Sequence, residues 1–230
     1  MISNDVREPA APTTPAIEQD FIDWLRDLPD PLPALRVFAR HYHYFSANQV
    51  VAFARLFTVI PRADREALAV LAEVLYEELG NGKKDDVHSV LLEEFAAAAG
   101  VSIQELPLPP GQVADGVRWY VCELEMAFGG RSLPRALATY CFLESSAVAT
   151  YGPLLDVLRA TKLFTESQLT FFARHATIES EHAAAAQRLA ERARLSAADR
   201  AEFDDQWALL RRSWAAFWRD IWDAARKATR

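Results

Sequence analysis

The run Arg174-His175-Ala176-Thr177-Ile178-Glu179-Ser180-Glu181-His182 carries three metal-capable side chains at helical spacing. In an α-helix each residue advances about 100° and about 1.5 Å. His175, Glu179 and His182 then lie within about 60° of one another on a single face. Phe171, Phe172, Ile178, Ala185, Ala186 and Leu189 share that face, so the three polar groups interrupt a stripe that should meet a core. Burying them is unfavourable unless each is paired, hydrogen-bonded or bound to a metal. The two histidines stand about 10 Å apart along the axis, which lets their side chains converge on two metal ions with Glu179 between them.

Three more residues break an apolar stripe in the same way. Glu78 falls on the stripe of Leu71, Val74 and Leu75, His88 on that of Leu91, Leu92 and Phe95, and Glu144 on that of Leu137, Tyr140, Cys141 and Val148. Four helical segments thus contribute three His and three Glu, the composition of a non-haem di-metal carboxylate site. Carboxylate and imidazole donors suit iron or manganese, with no thiolate to favour zinc. A ferritin-like scheme would pair Glu179-x-x-His182 with Asp85-x-x-His88 and leave His175 unexplained.

The elements that must hold these residues follow from periodicity and breakers. A helix is expected over Ile17–Leu28, a second over Ala34–Tyr44, and a third beginning at a Ser46 or Asn48 cap and ending at Pro61. Ala63–Gly80 is strongly amphipathic, with Glu66, Glu73 and Glu77 on the outer side. A further helix carries His88 to a Gly100 C-cap. Beyond the Leu106–Gly111 connector, helices are expected over Val113–Phe128, Ser132–Leu158 (bent at Pro153), Thr165–Arg194 and from Ser196 onward. Thr165-x-x-Gln168 reads as a capping box. Ten residues of unbroken helix would leave Glu78 and His88 about 80° apart, so Gly80 and Gly82 are expected to unwind the chain between them. No strand pattern, repeat or nucleotide-binding glycine motif occurs. The expected class is all-α, a single-domain bundle over residues 16–230 after a disordered leader at 1–15.

The chain of 230 residues, 51% of them apolar, can build one sizeable core. A net charge of −7 without a basic cluster argues against nucleic-acid binding. No apolar run approaches the roughly 20 residues of a membrane span. Cys122 and Cys141 are expected as reduced core thiols, which suits a cytoplasmic protein. Other polar residues receive ordinary readings. At most one of His41 and His43 faces the site, Glu123 and Glu125 are solvated or salt-bridged, and the Trp-rich last helix is core or a homodimer surface. Arg118, Lys162 and Arg174 are candidate anchors for a substrate carboxylate.

The arrangement Glu78-Leu-Gly-Asn-Gly-Lys-Lys-Asp-Asp-Val-His88, Glu144 and His175-x3-Glu179-x2-His182 resembles the haem-oxygenase-like di-iron oxidases and oxygenases. The resemblance extends over nearly the whole chain from about residue 35, and three of the five histidines fall at its motif positions. It implies a bundle of seven to eight helices and a site of two Fe(II) ions held by Glu78, His88, Glu144, His175, Glu179 and His182. It also implies O2 as co-substrate and a small amino-acid-derived or carboxylate metabolite as substrate. N-oxygenation, oxidative C–C cleavage or decarboxylation, and desaturation are the implied reactions. Many relatives have Asp where this chain has Glu179. Two alternatives stand beside this reading. One is a metal-free enzyme of the thiaminase or quinone-synthase type on the same fold, for which Cys141 lies one turn from Glu144. The other is a non-enzymatic helical binding protein.

Overall fold

Helix formation follows the apolar periodicity almost everywhere in the computed structural model, which describes residues 17–230. The expected leader at 1–15 lies outside the described residues. Eight α-helices appear among them: α1 (Ile17–Arg26), α2 (Leu32–Ala54), α3 (Arg65–Glu78), α4 (His88–Ala98), α5 (Asp115–Gly129), α6 (Leu133–Thr161), α7 (Thr170–Arg192) and α8 (Ala197–Ala228). Short 3₁₀ turns join several of them, and no strand is present in the described chain. None of these helices is long and apolar enough to cross a membrane.

The largest departure from expectation is α2, a single helix where two were expected. Residues 34–54 contain no Gly or Pro, and the expected caps do other work. Ser46 is buried in mid-helix, and the Asn48 amide donates back to the Tyr44 carbonyl at 2.7 Å. α2 also stops at Ala54, with a 3₁₀ turn at Arg55–Thr58, short of the expected end at Pro61, while side-chain caps fix the starts of other helices. Asp64 accepts from Ala67 N at the start of α3, and Ser196 forms a capping box with Asp199 at the start of α8. The Thr165–Gln168 box also forms, but it caps a 3₁₀ turn at Ser167–Leu169 that leads into α7. α6 stays helical across Pro153.

α6 and α7 form the principal pair, α5 lies along α8, and α2 packs against both α5 and α8. Between α2, α5 and α8 sits an aromatic cluster of Tyr42, Phe45, Tyr120, Trp214, Phe217 and Trp218, all buried. The last helix is therefore core along the Trp214–Ile221 face, with Trp207 and Trp222 only half-buried. α5 and α8 approach closely at Gly116, whose N–H donates to Asp220 Oδ2 at 2.7 Å. A Cβ there would overlap the Ala216 backbone. Gly116→Ala is therefore expected to destabilise the protein by about 1–3 kcal/mol, as overpacked cores generally do. Thermal unfolding checks this, and an unchanged Tm would contradict the packing described.

Candidate metal centre

The centre lies where α3, α4, α6 and α7 meet. Glu78 is the last residue of α3 and His88 the first of α4, while α6 supplies Glu144 and α7 supplies His175, Glu179 and His182. All six side chains are buried, each with 7% or less of its surface exposed. They gather as two groups, Glu78–His88–His175 and Glu144–Glu179–His182, in each of which the donor atoms lie within 4.8 Å of one another. A first-row metal with bonds of about 2.1 Å holds adjacent ligand atoms about 3–3.5 Å apart, so side chains this close need only small adjustments to share an ion.

The first group depends on a break in the helix, as the glycines suggest. Gly80, Asn81 and Gly82 adopt φ of +77°, +54° and +80°, which keeps the chain from continuing as α-helix between α3 and α4. His88 Nδ1 then comes within 3.0 Å of Glu78 Oε2. The His175 ring packs against both Tyr151 and Phe171, with each ring centroid 4.3 Å away. His175 Nδ1 donates to the Phe171 carbonyl at 2.7 Å, so Nε2 is the bare nitrogen, 3.7 Å from Glu179 Oε1.

The second group is short of partners. His182 Nδ1 lies 3.7 Å from Glu144 Oε2 and 4.0 Å from Glu179 Oε2, beyond hydrogen-bond reach. Glu179 Oε2 and His182 Nδ1 are both buried without a hydrogen-bond partner among the described residues. Such orphaned atoms are costly in a protein interior. A cation between them would satisfy both, so the donors present fit a metal ion.

Burial drives the titration of the group. It raises the carboxyls of Glu144 and Glu179, and the closeness of Glu144 raises Glu179 further. For Glu78 the rise from burial is outweighed by the His88 hydrogen bond and by the charges of His88, His175 and His182, which hold it below its ordinary value. Burial also pushes His175 down to about 4. The folded apoprotein therefore keeps protons on Glu144 and Glu179 that the unfolded chain releases above the ordinary value of 4.5. The contribution of this pair to stability falls as pH rises beyond that value. His175 acts in the opposite sense, its contribution being lost as pH falls from 6.5 to about 4. Metal binding needs ionised carboxylates and releases their protons. Ferrous ion should therefore raise Tm more at about pH 8 than at about pH 5.5, a difference that paired thermal melts under anaerobic conditions would read. An equal or reversed gap would contradict the assignment.

A cavity of about 20 Å³ adjoins the centre, lined by Phe45, Gln49, Leu143, Ser146, Ala147 and Trp214 besides Glu78, Glu144, His175 and Glu179. That is room for about one water-sized molecule. Tyr42 Oη donates to Tyr151 Oη at 2.9 Å along its wall.

Some sequence expectations fail here, and other residues singled out in the sequence lie outside the centre. Val148 is exposed, so the Glu144 stripe ends earlier than periodicity indicates. Glu123 is buried and accepts from Trp119 Nε1 at 2.9 Å, neither solvated nor salt-bridged, because the indole one turn away satisfies it. Cys122 is exposed and only Cys141 is buried. Neither early histidine joins the centre: His43 Nε2 lies 3.2 Å from Glu93 Oε1, and His41 Nδ1 accepts from Ala114 N at 3.4 Å. Asp85 is exposed beside Lys84, which removes the second Asp-x-x-His ligand of the ferritin-like scheme. Arg118 pairs with Asp115, Lys162 is exposed, and Arg174 is tied to Asp86 at 3.0 Å, so none of the three opens into the cavity. Periodicity also misses Glu77, whose Oε2 lies 2.7 Å from His182 Nε2.

Similar folds are known. A domain of unknown function with a heme oxygenase-like fold from Shewanella denitrificans superposes with a TM-score of 0.73 at 14% identity, covering 90% of this chain and 86% of that one. A cadd-like protein of unknown function from Nostoc punctiforme gives a TM-score of 0.71 at 15% identity, covering 93% of this chain and 90% of that one. The fold is therefore haem-oxygenase-like. No curated protein matches the chain in sequence. Residues 36–218 match the family described as iron-containing redox enzymes, and with that span matched the chain belongs to this family.

Proposed function

We propose that the protein is a non-haem di-iron oxidoreductase that activates O2 and acts on a small amino-acid-derived or carboxylate metabolite. The observation that carries this reading is the pair of buried His/Glu groups with Glu179 Oε2 and His182 Nδ1 unpartnered. Glu78, His88 and His175 would hold one ion, and Glu144, Glu179 and His182 the other. When bound, the ferrous ions supply the electrons that reduce O2 and so generate the oxidant for the substrate.

The protein groups do the rest. Three carboxylates balance most of the charge of two divalent cations, which keeps both ions in a dry interior. Phe171 and Tyr151 shield His175 from water, and the apolar walls at Phe45, Leu143 and Trp214 suit a small apolar gas. A metabolite needs more than about 20 Å³. The half-buried side chains of Gln49, Ser146 and Ala147, between α2 and α6, are where the lining can part to admit it. N-oxygenation, oxidative C–C cleavage or decarboxylation, and desaturation are the reactions this reading covers.

The thiol-based alternative fits less well. Burial, and then the Glu144 charge, push the Cys141 thiol up to about 12, far from the thiolate that nucleophilic chemistry needs. The test is O2 uptake by ferrous-loaded protein presented with a panel of small amines and carboxylates. Substrate-stimulated uptake with a matching oxidised product is expected. Absence of uptake with iron and with manganese would overturn the proposal.

A further inference from the structure

Glu77 stands on the last turn of α3, directly before Glu78. In the fold its Oε2 reaches His182 Nε2 at 2.7 Å, with the Glu77 side chain 34% exposed and the His182 side chain 6% exposed. A carboxylate only accepts hydrogen bonds, so Nε2 carries the hydrogen and donates it. In the neutral ring the other nitrogen is then bare. That nitrogen is Nδ1, the orphaned atom facing Glu144 and Glu179. Among the described residues nothing but Glu77 bonds to Nε2. Without it the ring would be free to place its hydrogen on Nδ1, toward the two buried carboxylates, which would block that nitrogen as a ligand.

We propose that Glu77 is a positioning residue for the Glu144–Glu179–His182 group, fixing the tautomer and orientation that offer His182 Nδ1 to a metal ion. This rests on the metal-binding reading above. Successive helical residues diverge by about 100°, so the end of α3 can send Glu78 to one group and Glu77 to the histidine of the other. One helical turn thereby serves both groups. Partners of this kind, one bond removed from the ligands, typically contribute 10- to 100-fold to metal affinity.

The test uses anaerobic ferrous titration in backgrounds that isolate each group. In His175→Ala the ion that remains is the one at Glu144–Glu179–His182, and adding Glu77→Ala should weaken it roughly 10- to 100-fold. In His182→Ala the remaining ion is at Glu78–His88–His175, and adding Glu77→Ala should leave its affinity unchanged. Glu77→Gln keeps an acceptor for Nε2–H and should recover most of the loss, and it serves if the Ala variant folds poorly. Nitrogen NMR of the apoprotein should find the His182 hydrogen on Nε2 in the wild type and shared with Nδ1 in Glu77→Ala. Equal affinity with and without Glu77 in the His175→Ala background would overturn the proposal and leave the di-metal reading standing. Equal weakening of both groups, with a fall in apoprotein Tm, would assign Glu77 a purely structural role. A wild type that binds no iron would remove both readings together.

Discussion

On the proposed reading, His182→Ala is expected to leave one tightly bound ferrous ion per chain instead of two and to lower O2-dependent turnover by about three orders of magnitude or more. The substitution takes away the one neutral donor of the Glu144–Glu179–His182 group and leaves two carboxylates whose protonation burial already favours. Several kcal/mol of metal-centred stabilisation disappear with the ion, and each 1.36 kcal/mol is tenfold in rate. His175→Ala is the mirror case and should cost the ion expected at Glu78–His88–His175. The helical content of both variants should survive. Each site sits within α7, a helix of 23 residues, and Ala is the best helix former. Iron per chain, measured after removal of loosely bound metal, separates the two variants from the wild type. A His182→Ala protein that retains two irons and full turnover would show that these residues are not ligands.

The second large effect concerns the turn that brings Glu78 to His88. Gly80→Ala should abolish binding at the Glu78–His88–His175 group while the other group still takes its ion. At Gly80 the backbone sits at φ +77°, and an added Cβ would come within 2.6 Å of both Asp86 C and Val87 N. The clash is with backbone, so it cannot be relieved by rotating a side chain. The conformation itself costs a residue with a Cβ about 1–2 kcal/mol. The Gly80–Val87 segment must then open. The 3.0 Å approach of His88 to Glu78 is lost with it, as is the Arg174–Asp86 tie that pins the segment to α7. Gly111→Ala is the matched control, since a Cβ there meets nothing within 4 Å. One ion per Gly80→Ala chain, with wild-type stoichiometry in Gly111→Ala, is the expected pattern. Two ions in both would place the cause of the Glu78–His88 approach elsewhere.

How far the site could be read from sequence depended on the kind of signal. A carboxylate or imidazole on an apolar stripe is conspicuous because burial makes it expensive, and all six residues found that way lie together in the core. The Glu78–His88 break was equally legible, because two glycines stand where continuous helix would hold the pair apart. Glu77 was not legible. One helical position from Glu78, it falls on the outer side by periodicity, and only the seating of α3 against α7 turns it toward His182. Glu123 misled for a related reason, since its partner Trp119 satisfies a buried carboxylate without any charge. The expected break within α2 failed because Ser and Asn serve equally as caps and as side chains bonded back to a helix carbonyl. Composition alone does not decide between those uses. At the level of fold, the helix order and breakers were readable. The packing of α3, α4 and α6 on α7, which brings the two groups together, comes from long-range contacts that periodicity does not contain.

The most direct test of the central claim is anaerobic ferrous titration of the wild-type apoprotein, followed by exposure to O2 in a stopped-flow spectrophotometer. Two irons bound per chain, both oxidised when O2 is admitted with a turnover substrate, is the predicted result. No tight iron binding, or iron that O2 leaves ferrous even with substrate present, would contradict it.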